Sequence, residues 1–318
     1  MKNILKYILK KTITLITTFI LVSLIIFFVF QVIPGDPVLI ILGPDAEQAQ
    51  ISALRASLGL DDPLFLRYIN WLKNILRGDM GTSIRYNIPT VSLIKDRLPV
   101  TFTLTLMSLA FSSITGIIFG IIIGKYNDSF IGRALSIISQ IGLSIPVFLV
   151  GFMLAFVFGV LFSLLPTSEF APFSTSVSLA LKSLLLPSIA ISIGASSVIV
   201  RFLKNSISLN MDEEYVRTAK SRGQSDNKIL FNHILRNALL PSITIIGMIL
   251  ADIISGSIII ENVFSLPGIG QLIVTAINTR DFPLIQSLCL YILFTVVLVN
   301  TVVDIIYGLI DPRIRRNS

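Results

Sequence analysis

Between Lys11 and Asp36 the chain runs through Thr12–Ile33 without a single charged residue. A helix needs about 20 predominantly apolar residues to cross the hydrocarbon core of a bilayer, and this segment meets that requirement. Five more apolar segments of spanning length follow, near Pro99–Gly124, Ala134–Leu161, Leu184–Leu203, Leu239–Ile260 and Leu284–Leu309. In lipid each backbone N–H and C=O has to pair within its own segment, so all of them are read as helices. Apolar residues make up 53% of the chain and charged residues 14%, whereas soluble domains carry about 25% charged residues. The expected fold is therefore an all-α polytopic membrane protein with about six transmembrane helices, and a soluble domain with a large core is excluded.

The formal net charge of +7 reads as topology and not as a nucleic-acid surface, because Lys and Arg flank the apolar spans. With the N-terminus inside, the cytosolic face receives Lys2, Lys6, Lys10, Lys11, Lys125 and Arg133, then the basic loop after Leu203 and the tail with Arg313, Arg315 and Arg316. Both termini are predicted to be cytosolic. The first span resembles a signal peptide in its basic start, but it is long enough to cross and no small-residue cleavage site follows, so it reads as an uncleaved helix. The segment Pro34–Leu98 is external. Within it, Ala46–Leu58 and Pro63–Leu76 are amphipathic at helical spacing, and they serve either as a cap on the bundle or as a docking surface for an external partner. Pro146 and Pro187 are expected to kink or bound their helices. Gly116, Gly120 and Gly124, four residues apart, predict a close helix–helix packing face.

The cytosolic stretch Glu214–Pro241, E-Y-V-R-T-A-K-S-R-G-Q-S-D-N-K-I-L-F-N-H-I-L-R-N-A-L-L-P, is polar and basic between two apolar spans. Asp212, Glu213 and Glu214 suit a helix N-terminus, so Tyr215–Arg222 is predicted as a short helix stopped by Gly223. A second helix over Asn227–Ala238 is predicted to meet it at right angles, making a rigid knob able to transmit force. Asp252 and Asp304 lie inside spans, where carboxylates face an interior or a cavity; they read either as part of a substrate path or as hydrogen-bonding partners of neighbouring helices. His233 is the only histidine and Cys289 the only cysteine, which leaves no Cys/His metal cluster and no internal disulfide. Gly120–Lys125 reads G-I-I-I-G-K, one residue short of a phosphate-binding loop and inside a span. No catalytic constellation is visible, and the chain is not expected to bind ATP.

Ala219–Gly223 (A-x-x-x-G) followed by I-L-R-N-A-L-L-P up to Pro241 resembles the coupling loop of ATP-binding-cassette importer permeases. Arg217 and Thr218 stand where that motif has Glu and its first Ala, and the variant E-Y-V-R-T-A is similar to the peptide and nickel branch. V-I-P-G-D-P at Val32–Pro37, G-D-M-G-T-S at Gly78–Ser83, E-N-V-F-S-L-P-G-I-G at Glu261–Gly270 and D-P-R at Asp311–Arg313 match that branch in order. The chain thus resembles the B-type permease of oligopeptide, dipeptide and nickel importers. The resemblance implies a type I importer fold and an ATPase-coupling surface at Glu214, Tyr215, Arg217, Thr218, Ala219 and Gly223. Read from the residues themselves, Pro267, Gly268 and Gly270 shape a tight external turn that Phe264 and Leu266 tuck back, either a structural re-entrant loop or one that also collects substrate from a binding protein; the expected substrate path includes Asp252, Glu261 and Asp304. The implied partners are a homologous C-type permease, two ATPases that bind ATP and Mg, and an external substrate-binding lipoprotein, in a bacterial cytoplasmic membrane. No cofactor is expected in this chain, nor any metal site. The expected organisation is a first helix over 1–33, an external segment over 34–98 and a core permease domain over 99–318 with the coupling loop at 205–238. The expected function is peptide translocation without enzymatic activity, with nickel or metallophore import as the alternative; an ion-coupled secondary transporter fits less well.

Overall fold

The computed structural model describes residues 2–32, 38, 42–43, 46–57, 59–127, 129–167 and 170–310. The V-I-P-G-D-P element beyond Val32 and the D-P-R tail lie outside the described residues. The elements are α1 (Lys2–Val32), α2 (Gln48–Ser57), α3 (Leu64–Leu76), α4 (Thr90–Lys125), α5 (Phe130–Ser144), α6 (Val147–Leu154) with a π turn at Ala155–Leu161, and α7 (Val177–Met211). They continue with α8 (Glu214–Ser221), α9 (Asp226–Ile229), a π turn at Leu230–Ile234, α10 (Leu235–Val263), α11 (Ile269–Asn278) and α12 (Phe282–Ile310). Among the described residues five helices are long and apolar enough to cross a membrane, and the pair α5–α6 makes a sixth span if counted as one.

That pair departs from the single straight span expected over Ala134–Leu161, because its two halves bend by 105°. Pro146 is the cause. Its ring disfavours the α conformation at the preceding residue, and Ile145 is indeed extended at φ −80°, ψ 127°. Pro187 and Pro241, in contrast, sit inside the continuous helices α7 and α10.

The chain forms two compact units, one of residues 1–99 and 272–318 and the other of residues 100–271. In the first, α1 packs along α12. Lys11 Nζ lies 2.6 Å from Asp304 Oδ2, and the Tyr7 hydroxyl donates to the Asp304 carbonyl at 2.8 Å. The external helix α3 lies against the outer half of α1: Tyr68 and Ser23 share a buried hydroxyl–hydroxyl bond of 2.9 Å, and the Phe27 ring sits 5.5 Å from Tyr68 and 5.6 Å from Trp71. Another flank of α1 exposes Ile13, Ile16, Ile20 and Leu24, as a lipid-facing surface requires.

In the second unit α7 is the central helix, with Leu184, Ile199, Leu203 and Ile207 fully buried. Buried hydroxyls on it bond back to its own carbonyls, Ser188 to Leu185 and Ser192 to Ile189, both at 2.8 Å, which leaves no unmet polar demand at those positions. The glycine face of α4 meets a ridge of α7 in register. A Cβ built on Gly116 would fall 2.7 Å from Ile199 Cβ, one on Gly120 2.9 Å from Leu203 Cδ2, and one on Gly124 2.9 Å from Ile207 Cδ1. Lipid tails are as apolar as side chains, so this close approach, and not hydrophobic burial, holds the helices together. Gly120→Leu is expected to lower the thermal midpoint of the detergent-purified chain through overpacking of about 1–3 kcal/mol. Gly194→Ala, whose new methyl would meet nothing nearer than 3.9 Å, is expected to leave the midpoint unchanged or raise it.

Candidate functional site

The basic cytosolic loop folds over an apolar cluster of its own. Val216 and Ala219, three residues apart on α8, are 2% and 6% exposed and join Leu203 and Ile207 of α7, Ile229 of α9, Leu230 and Ile234 of the π turn, and Ala238 of α10. The opposite stripe of α8, Glu214, Arg217, Thr218 and Ser221, is exposed. Acidic Glu214 stands in the first turn and Lys220 in the last, as the helix dipole favours. The helix stops at Gly223, whose φ is +73°. The Gly223 amide donates to the Lys220 carbonyl at 2.9 Å and the Gln224 amide to the Ala219 carbonyl at 3.2 Å, the paired bonds that close a helix through a left-handed residue.

Two side-chain bonds tie the ends of this element down. The Tyr215 hydroxyl donates to Asn210 Oδ1 at the end of α7, at 2.8 Å. His233 Nε2 lies 3.1 Å from Gln224 Oε1, fastening the turn after α8 to the π turn. The expected second helix over Asn227–Ala238 is not a separate element. It starts at Asp226 and runs through the π turn into α10, because neither Gly nor Pro interrupts it before Pro241. Only α8 stands free as a short helix in this loop. Of the six residues implied for ATPase coupling, Glu214, Arg217 and Thr218 face outward, Tyr215 is half-buried, Ala219 faces the loop's own core, and Gly223 shapes the turn.

The external loop after α10 is organised by Glu261, which is fully buried. Its carboxylate accepts the Gly270 amide at 2.6 Å and the Gln271 amide at 3.3 Å, and the Thr101 hydroxyl at 2.6 Å. Thr101 Oγ1 in turn accepts the Ile269 amide at 2.9 Å. The first amides of α11, orphaned in any helix, are thereby met by two side chains from elsewhere, and negative charge sits at the positive end of the helix. Gly268, where a capping side chain would stand, has none to offer. A Cβ there would strike the Glu261 carboxylate, and one on Gly270 would strike the backbone of Ile258. Phe264 and Leu266 are buried in the core of the second unit, 1% and 2% exposed, while Pro267 is half-buried.

The three acidic residues implied for the substrate path are therefore placed very differently. Glu261 is engaged in the loop, and Asp304 is paired with Lys11. Asp252 is exposed on α10, on one face with Met248, Ser255 and Ile259. No group of three or more His, Cys, Asp or Glu residues positioned to hold a metal occurs among the described residues. A residue not anticipated from the sequence is Asp281, 1% exposed. It accepts the Leu284 amide at 3.3 Å as the cap of α12, the Ile84 and Arg85 amides at 3.2 Å and the Ser83 hydroxyl. It thereby locks the G-D-M-G-T-S element to the start of the last span. The sequence signal is D-F-P at Asp281–Pro283, an acidic cap just ahead of a proline in the first turn.

Residues 116–316 match the family described as binding-protein-dependent transport system inner membrane component, and residues 4–105 match the N-terminal segment of such membrane components. A probable peptide ABC transporter permease of Sinorhizobium fredii is 36% identical over 309 residues, covering 97% of this chain and 99% of the relative. A putative peptide transport system permease of Brucella abortus is 34% identical over 308 residues, covering 97% and 98%. A glutathione transport system permease of Salmonella choleraesuis is 33% identical over 311 residues, covering 98% and 99%. A chain in a solved structure of the MetNI methionine ABC transporter superimposes with a TM-score of 0.56 at 16% identity, over 69% of this chain and 96% of that one.

Glu261→Ala is expected to destabilise the purified chain by more than about 2 kcal/mol, since hydrogen bonds to a charged group contribute about 1.5–3 kcal/mol each and their donors would be left buried. Glu261→Gln, which keeps an acceptor, should lose less. Thermal denaturation in detergent checks the order; equal midpoints for wild type and Glu261→Ala would contradict it.

Proposed function

The chain belongs to the family of binding-protein-dependent transport system inner membrane components, and from that membership we propose that it is the permease subunit of an ATP-driven peptide importer. The observation that carries the proposal is α8, a short cytosolic helix anchored from beneath by its own apolar cluster and presenting Glu214, Arg217, Thr218 and Ser221 outward. A helix held in this way transmits displacement, whereas a loop held only at its ends absorbs it. The peptide cargo is supported by relatives of near-complete coverage whose names are those of peptide and glutathione permeases.

In this reading a homologous C-type permease supplies the other half of the path, two ATPase subunits bind ATP and Mg, and an external substrate-binding lipoprotein delivers the cargo. ATP binding draws the ATPases together and carries the coupling helices with them, and the spans open outward to receive substrate. Hydrolysis resets them. Asp252 is the path residue available to a substrate. An exposed carboxylate in mid-span is costly against lipid, so its face, with Ser255 beside it, belongs against the water-filled path or the second permease. Glu261 and Asp304, already engaged, keep structural duties.

Reversing the outward charge with Arg217→Glu together with Thr218→Trp is expected to cut tripeptide uptake by the reconstituted assembly at least about tenfold, a loss of about 1.4 kcal/mol or more. The permease itself should stay folded in the membrane, because neither side chain enters the cluster beneath. A cysteine at Thr218 should crosslink to an ATPase subunit, while one at Val216 should not. Wild-type uptake in the double variant would count decisively against this coupling surface.

A further inference from the structure

The first unit holds a cavity of about 460 Å³ that the coupling scheme does not use. This size falls within the range of roughly 300–1,000 Å³ typical of small-ligand pockets. It lies at the outward ends of α1 and α12, where Phe30 and Gln31 close the last turn of α1 and Phe282 and Gln286 begin α12. With the N-terminus cytosolic, as the charge distribution predicts, it opens on the external side. Arg67, Trp71 and Asn74, one stripe of α3 at i, i+4 and i+7, form one wall, Arg55 of α2 a second, and Asp79 of the G-D-M-G-T-S element a third.

Charges of both signs line this cavity, and two of them, Arg67 and Asp79, stand on different walls. Among the described residues neither Arg67 nor Asp79 forms an ion pair. Asp79 is held in place by accepting the Gly81 amide through Oδ1 at 2.9 Å, which leaves its second oxygen for another donor. Arginine offers a planar fork of N–H donors suited to a carboxylate. The amides of Gln31, Asn74 and Gln286 each present both a donor and an acceptor, the complement of a peptide bond. Trp71 and Phe282 supply apolar faces between the polar groups.

We propose that this cavity is an external binding site for short zwitterionic peptides, with Arg67 taking the terminal carboxylate and Asp79 the terminal ammonium. The proposal rests on the peptide-importer reading and deepens it: the permease holds a reception site of its own outside the membrane path. A phosphatidylethanolamine headgroup carries the same two charges, and the test separates the two.

Trp71 lines this cavity and is the only tryptophan of the chain, so no other tryptophan contributes to its fluorescence. The full chain, purified in detergent, is titrated with trialanine, N-acetyl-trialanine, trialanine amide and a soluble short-chain phosphatidylethanolamine. A saturable response to trialanine is expected, with each blocked peptide binding about tenfold more weakly, equivalent to about 1.4 kcal/mol. Asp79→Asn should abolish the preference for a free amino terminus while keeping the preference for a free carboxylate, and Arg67→Gln should do the reverse. If either variant fails to fold, the comparison of free with blocked peptides on the wild-type chain still decides. Absence of a saturable response to trialanine, equal binding of free and blocked peptides, or a response to the phospholipid alone would each overturn the site. Peptide uptake by the whole assembly without a Trp71 response would overturn the site and leave the transport function standing. Peptide binding at Trp71 in an assembly that carries no peptide would support the site and overturn that function.

Discussion

The apolar cluster beneath α8 is the contact on which the rest of the cytosolic architecture depends. Eight buried residues drawn from α7, α8, α9, the π turn and α10 meet there. Burying one Val, Leu or Ile side chain contributes about 1.5–3 kcal/mol, so the cluster far outweighs the exposed Lys220–Asp226 pair on the surface above it, where the separation is 3.8 Å and such pairs contribute about 0–1 kcal/mol. The result is a loop with an interior. Tyr215 and His233 then fix its two ends by hydrogen bonds to Asn210 and Gln224, and Gly223 turns the chain without strain. Glu214, Arg217, Thr218 and Ser221 of α8 face outward because Val216 and Ala219 are already used in the cluster beneath.

A second device recurs on the external side. In both units a buried acid caps a helix that begins next to a loop motif: Glu261 for α11 and Asp281 for α12. Each also gathers a hydroxyl, from Thr101 and Ser83 respectively. A carboxylate accepting several donors is stable in a dry setting, and removal of either partner leaves orphaned amides behind. The glycines of the P-G-I-G turn follow from this, since Gly268 and Gly270 are the space into which the carboxylate and the Ile258 backbone fit. The motif is one physical unit in which the acid and the glycines require each other.

Much of this was legible in the sequence, for identifiable reasons. Apolar length sets the spans, four-residue glycine spacing marks the α4–α7 contact, and a glycine after a charged amphipathic stretch ends α8. The external helices α2 and α3 fall within two residues of their predicted limits at each end. Other features were hidden because they depend on contacts distant in sequence. Both Pro146 and Pro187 carry the same expectation of a kink or boundary, yet the outcome ranges from the uninterrupted α7 around Pro187 to the 105° break after Ser144. The fusion of the second loop helix with α10 reflects a missing stop signal, since Pro241 itself sits inside α10. Glu261 in isolation looks like a pathway charge, and only its amide partners reveal it as a cap. Ala219 belongs to the coupling motif, yet it is buried in the loop's own apolar cluster with Leu203, Ile207 and Ile234.

The central claim is that α8 is a rigid extension of the spans beside it. Hydrogen–deuterium exchange of the purified full chain tests this most directly, because amide protection reports local opening free energy. The account predicts that the hydrogen-bonded amides of α8 exchange together with those at the cytosolic ends of α7 and α10, as one cooperative unit. Rapid exchange of α8 while those helix ends remain protected would contradict it.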